Sequence, residues 1–124
     1  MTFAITSAGP SLGDMVERDF QSCAYFIIFN PDKQKLTILD NPYRRMVNGV
    51  GYLIARLLAQ KNVSLLLTGY CSPEDFRIFS NVGIYTVTGI SGEIRQALSR
   101  YNSWIKNKPE DEKQESYSQV NRVN

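Results

Sequence analysis

Leu65-Leu66-Leu67-Thr68 is a short apolar run that breaks at Gly69-Tyr70 and continues as Cys71-Ser72-Pro73-Glu74-Asp75. The run has the length and composition of a buried strand. Residues 72–75 have the marks of a helix start: Ser72 as N-cap, Pro73 at the first helical position, and acids in the first turn. A strand feeding directly into a helix belongs to an α/β architecture, and in open α/β sheets ligands bind at the edge where the strands end. The Cys71 thiol is placed at that edge. On residue type alone it is either a small residue in a tight turn or a ligand.

The rest of the chain supplies the sheet. Phe3 to Thr6 predicts a first strand, followed by a loop rich in Ser, Gly and Pro from Ser7 to Gly13. Ala24 to Phe29 predicts an aromatic, β-branched second strand. Asn30-Pro31-Asp32-Lys33 is a turn cluster, and Lys35 to Leu39 alternates as the third strand of a hairpin. Val50, Leu53, Ile54, Leu57 and Leu58 fall at helical spacing, giving a first helix that stops near Lys61-Asn62. A second helix runs from Pro73 to about Asn81, and a fifth strand from Ile84 to Thr88. A third helix opens at Ser91-Gly92-Glu93, with Ile94, Ala97, Leu98, Tyr101 and Ile105 on its inner face. Beyond Lys106 the apolar pattern stops, so the expectation is one α/β domain over residues 1–106 and a disordered tail over 107–124.

Hairpin pairing makes strand 2 antiparallel to its neighbours, and right-handed crossovers then favour a mixed five-stranded sheet of order 3-2-1-4-5. The first and Leu65 strands lack alternation, as central strands covered on both faces do. The chain leaves strands 1 and 4 toward opposite faces, which opens a crevice between their carboxyl ends. Cys23, Arg18, Arg44, Arg45, Ser72 and Ser91 all fall on loops at that end, and all three helices begin there. Their positive dipole ends, the arginines and the two thiols suit an anionic ligand. Against this, the arginines also fit a solvated surface, Cys23 borders an apolar strand where packing is its commoner role, and the two serines are caps first.

Composition removes several chemistries. The chain has no histidine, which excludes histidine triads, general bases and metal ligands. Net charge is only +2 over 124 residues, so no nucleic-acid-binding field is indicated. No run approaches a membrane span and no leader segment is recognisable, so the expected location is the cytoplasm, with both cysteines as free thiols.

The ordered series Ser7-Ala8-Gly9-Pro10, Arg18-Asp19-Phe20 through Ala24-Tyr25-Phe26, Asn41-Pro42 with Gly49-Val50-Gly51, Thr68-Gly69-Tyr70-Cys71-Ser72-Pro73 with Phe76, Gly83-Ile84, and Gly89 with Gly92 to Leu98 carries a family likeness. The chain resembles the dinitrogenase iron–molybdenum cofactor biosynthesis family, small proteins that bind or carry nitrogenase cofactor and its precursors. It is similar also to the related orange protein, which holds a molybdenum–copper sulfide cluster. The resemblance implies a three-layer ribonuclease H-like fold and a binding or carrier role without catalysis. The implied cargo is an iron–sulfur or molybdenum-containing sulfide cluster, and the implied partner a metalloprotein or cluster-assembly protein. Relatives often carry a histidine where this chain has Asp19, glycine and arginine at Gln21 and Ser22, and glycine at Ser72.

The leading expectation is therefore a non-enzymatic binder of a small anionic metal–sulfur cluster. Cys71 and Cys23 are the candidate metal ligands, and Cys71, Arg18, Arg44, Arg45, Ser72 and Ser91 the candidate cluster-binding residues. Two cysteines cannot supply the four thiolates of an ordinary protein-bound iron–sulfur cluster, so the cluster must be largely self-contained or shared with a second chain. A nuclease on this fold would need metal-binding carboxylates at the ends of the central strands, where Phe3-Ala4-Ile5 and Leu67-Thr68-Gly69 have none. The alternative is a protein-interaction module of the same fold that has lost its ligand.

Overall fold

The computed structural model describes the backbone of residues 1–106 and the side chains of residues 1–102. The segment expected to be a tail, 107–124, lies outside the described residues, as does the Ile105 side chain. Three strands come first, β1 (Thr2–Ser7), β2 (Tyr25–Asn30) and β3 (Lys35–Asp40). Helices then alternate with strands: α1 (Val50–Gln60), β4 (Val63–Leu67), α2 (Pro73–Asn81), β5 (Tyr85–Val87) and α3 (Ile94–Lys106).

The five strands form one mixed sheet in the order β3-β2-β1-β4-β5. β2 runs antiparallel to β1 and β3, while β1–β4 and β4–β5 are parallel. This is the expected order, and its cause lies in the strands themselves. β1 and β4 are buried nearly throughout, whereas β3 alternates between exposed and half-buried residues as an edge strand does. The β2–β3 turn is built by Asn30, whose side-chain oxygen accepts from the backbone N–H of Asp32 and Lys33 at 3.0 and 3.2 Å. The chain returns through Gln34 at φ 50°.

Each face of the sheet carries its own core. On one side Ala4, Phe26, Ile28 and Leu66 pack with Val50, Ile54, Ala55 and Leu58 of α1 and Phe79 of α2. On the other, Phe3, Ile5, Ile27, Phe29, Leu65 and Leu67 meet Ile94 and Ala97 of α3, with Leu98 and Tyr101 packed at the margin. The buried stripe of α1 is Val50, Gly51, Ile54, Ala55 and Leu58, so Leu53 and Leu57, expected inside, are only half-buried. Two small residues, Gly51 and Ala55, belong to that stripe, and Gly51 admits the Asp75 carboxylate of α2. β4 begins at Val63, two residues before the expected start, and β5 is cut to three residues.

Two surfaces with opposite burial give a direct test. Leu66→Ala removes a fully buried side chain from the α1/α2 face and should lower unfolding free energy by about 2–5 kcal/mol. Gln60→Ala, at an exposed position of α1, should stay within about 0.5 kcal/mol. Urea denaturation followed by circular dichroism measures both.

Candidate functional site

The carboxyl ends of the parallel pair β1 and β4 are closed by the loop that joins β1 to β2. Thr6 and Thr68, neighbours across the sheet, are both fully buried. The Thr6 hydroxyl donates to the Glu17 carbonyl at 2.6 Å and lies 3.0 Å from the Thr68 hydroxyl, which reaches the Arg18 carbonyl at 3.3 Å. Backbone bonds from Glu17 N to Thr6 O and from Tyr70 N to Arg18 O, both 2.9 Å, complete the attachment. Gly69 is required here, because a Cβ on it would lie 2.6 Å from the Arg18 Cα. The crevice expected between β1 and β4 is therefore covered by the Glu17–Phe20 main chain, and the site is a rim around that cover.

Arg18 projects from the cover, with its side chain 70% exposed. Its guanidinium stands 5.2 Å from the Tyr70 ring centroid and 3.5 Å from an Asp19 carboxylate oxygen. Cys71 comes next after Tyr70 and is half-buried against the α1/α2 core, its Sγ 3.6 Å from the Ser72 carbonyl. Ser72 caps α2 as expected, accepting from Asp75 N at 3.1 Å, and its hydroxyl also donates to Asp75 Oδ2 at 3.0 Å. Arg44 and Arg45 lie on an exposed part of the β3–α1 loop. Cys23 is fully buried, its Sγ donating to the Phe20 carbonyl at 3.3 Å, and it stands in the core beneath the loop.

Ser91 is exposed and does not begin α3, which starts three residues later at Ile94. The first amides of α3, Ile94 N and Arg95 N, donate to the carbonyls of Asp14 and Leu12, both at 2.9 Å. The β1–β2 loop thus caps α3 with main chain. Gly89 N donates to Gly69 O at 2.9 Å, which draws the Ser91 turn beside the β4–α2 turn.

Helix dipoles do converge on this edge, but the chain meets much of that field itself. Ser72 serves α2, loop carbonyls serve α3, and the Asp75 carboxylate is set against Gly51 in the first turn of α1. Asp75 Oδ2 also accepts from Gln21 Nε2 at 3.1 Å. Asp75 and Gln21 line a shallow pocket of about 230 Å³ together with Asp19, Phe20, Tyr70 and Ser72. Its walls combine the carboxylates of Asp19 and Asp75 with the rings of Phe20 and Tyr70, and no arginine lines it.

The same environment controls the thiols. Burial, and secondarily the Asp75 charge, push the Cys71 thiol from the ordinary 9.0 to about 12. Burial does the same to Cys23, also to about 12, over opposing hydrogen bonds from the Ser7 backbone and Asn41. Both are neutral thiols at neutral pH, so the α2 dipole does not make Cys71 a thiolate. Among the described residues no three Cys, Asp or Glu side chains converge as a ready metal site.

Sequence reasoning missed four residues that shape the site: Thr6, Thr68, Asp75 and Asn41. Asn41 is buried and holds the cover from below, its Nδ2 donating to the carbonyls of Gln21 and Cys23 at 3.1 and 2.9 Å. A threonine at the end of each of two apolar runs, and an Asn-Pro pair after a strand, were the available signals.

Residues 1–103 match the family model for the dinitrogenase iron–molybdenum cofactor. Among solved structures, the apo orange protein from Desulfovibrio gigas is similar at 28% identity and TM-score 0.77, over 83% of this chain and 88% of that one. The NMR structure of a Thermotoga protein of the DUF35 family, described as a NifB candidate, is similar in fold, with 22% identity and TM-score 0.71, over 82% of this chain and 87% of the other. No curated protein matches the chain.

The thiol environments predict an alkaline weakness. Each thiol keeps its proton up to about pH 12, whereas in the unfolded chain it is lost near 9.0. The unfolded state therefore binds fewer protons in that window, and stability should fall as pH rises from about 9 toward 12. Cys23→Ala should flatten the decline in urea midpoint, whatever it costs at neutral pH.

Proposed function

We propose, on the premise that the chain belongs to the dinitrogenase iron–molybdenum cofactor family, that it binds or carries a small anionic metal–sulfur cluster in metallocluster assembly and catalyses no reaction itself. One observation carries this reading. The Tyr70 N to Arg18 O bond holds an exposed guanidinium and the half-buried Cys71 on adjoining turns at one end of the sheet. In this reading the cluster is cargo and brings most of its own sulfur, because the chain has only two cysteines. Arg18, Arg44 and Arg45 meet its negative charge. The exposed Ser91 hydroxyl offers a hydrogen bond, while Ser72 stays committed to Asp75. Cys71 supplies one metal ligand, and Cys23 supports the loop from within the core.

Ligation by Cys71 must release a proton, since the empty site holds a neutral thiol. Binding at the rim keeps the anionic cargo off the acidic pocket beside it. A second reading, a protein-docking module of the same fold without a ligand, is favoured by the exposed Met46, Val47, Tyr52 and Tyr70 around the same loops. The two readings meet if the docking partner is the metalloprotein or assembly protein that exchanges the cluster.

Anaerobic incubation with iron and sulfide, or with tetrathiomolybdate and copper, followed by desalting, absorbance and metal counting, tests the proposal. Wild type should retain metal, with apparent affinity rising with pH through the neutral range. Cys71→Ser should lose most of the bound metal while keeping its fold. Arg18→Ala should lose about 1.5 kcal/mol, roughly tenfold in affinity, and Cys23→Ser should retain its metal. A wild-type protein that holds no metal under any of these conditions leaves the docking reading in its place.

A further inference from the structure

The outer edge of β3 is a surface separate from the rim at the strand ends. β3 ends the sheet, and its six residues pair with β2 in continuous register without a bulge. It contains no proline. The ladder continues through Asn41 N to Ala24 O at 3.1 Å, so alternation turns the N–H and C=O groups of Leu36, Ile38 and Asp40 outward, away from β2. Among the described residues no strand pairs with these groups. Leu36 and Ile38 are also 38% and 46% exposed on the α3 side of the sheet. A long, regular edge of this kind is a template for strand addition.

The edge is complementary to itself. Antiparallel pairing centred on Thr37 places Leu36 opposite Ile38 of a second copy, in hydrogen-bonded pairs made by the outward groups of both strands. Thr37 then faces its own counterpart on the other side of the sheet. Leu–Ile and Thr–Thr are favourable cross-strand pairs. A register one step further on, centred on Ile38, would set Leu36 opposite Asp40. Charge agrees with the first arrangement: the basic end of the strand, Lys33 and Lys35, comes beside the acidic end, Asp40, of the second copy, and no like charges lie opposite.

We propose that two copies of this chain join edge to edge through β3, antiparallel and centred on Thr37, making one continuous ten-stranded sheet. Both cluster-binding rims remain open, because the rim belongs to the loops at the strand ends and not to the sheet edge.

Sedimentation equilibrium of the full chain, with amide exchange of Leu36 and Ile38, provides the test. A concentration-dependent dimer is expected, with both amides more protected as the dimer forms. Ile38→Lys should be monomeric with unchanged circular dichroism. Thr37→Cys should cross-link on mild oxidation, since opposed Cα atoms in such a pair lie about 4.5 Å apart, within disulfide reach. Lys35→Cys should not, its counterpart lying roughly 13 Å away along the strand. A monomer at every concentration overturns the proposal. So do slow Leu36 and Ile38 amides in a monomer, which would show the edge covered by the chain's own residues, and equal cross-linking at positions 35 and 37, which would show a different register.

Discussion

The site depends on a pair of buried hydroxyls. Thr6 and Thr68 stand where the two central parallel strands end, and a buried hydroxyl without a partner costs about 1–3 kcal/mol. Their partners are the carbonyls of Glu17 and Arg18, so satisfying the hydroxyls draws the β1–β2 loop across the sheet end. Gly69 permits the approach, and Asn41 ties the far side of the loop to β3. The same loop then supplies the carbonyls that cap α3. A crevice that topology would leave open becomes a clamped platform, and Arg18 is displayed because the backbone beneath it is held.

Electrostatics at the platform are decided by burial and one carboxylate rather than by helix dipoles. A dipole at a helix terminus is typically worth about 0.3–1 kcal/mol, less than the free energy of a single pH unit. Burial, joined by Asp75, takes Cys71 to about 12, so the dipole cannot win. Asp75 is itself kept in place by Ser72, Gln21 and the absence of a Cβ on Gly51. The acid in the first turn of α2 thus also faces the start of α1 and adds to the burial that keeps the neighbouring thiol neutral.

The strand order was legible because it arises from local signals that agree: an aromatic strand, an Asx turn, an alternating edge strand, then two helix crossovers. The start of α2 was legible for the same reason, since Ser72-Pro73-Glu74-Asp75 is decided by neighbours in sequence. The start of α3 was not. Ser91 has the form of a cap, yet the amides of Ile94 and Arg95 are taken by Asp14 and Leu12, some eighty residues earlier, and no local pattern reports a bond of that span. The closing of the crevice was only half visible: Thr6, Thr68 and Asn41 stand in the sequence, but the main-chain carbonyls they bind have no sequence signature. Cys23 and Cys71 could be placed near the sheet end, but their protonation depends on burial and on Asp75, which only packing reveals.

A thiol that is neutral when empty has a consequence for the carrier role proposed for this chain. At neutral pH a thiol whose titration is pushed up to about 12 presents less thiolate than an ordinary cysteine, and metal must displace its proton to bind. A storage site would gain from the opposite arrangement, with a thiolate formed in advance. A carrier has to surrender its cargo, and a thiol that recovers its proton on release favours the departing cluster over the bound one. On the proposed reading, arginine charge supplies attraction that acts at longer range and is weakened by salt, so capture would be electrostatic while retention would rest on Cys71. Weak retention of this kind suits handing a cluster on better than keeping it.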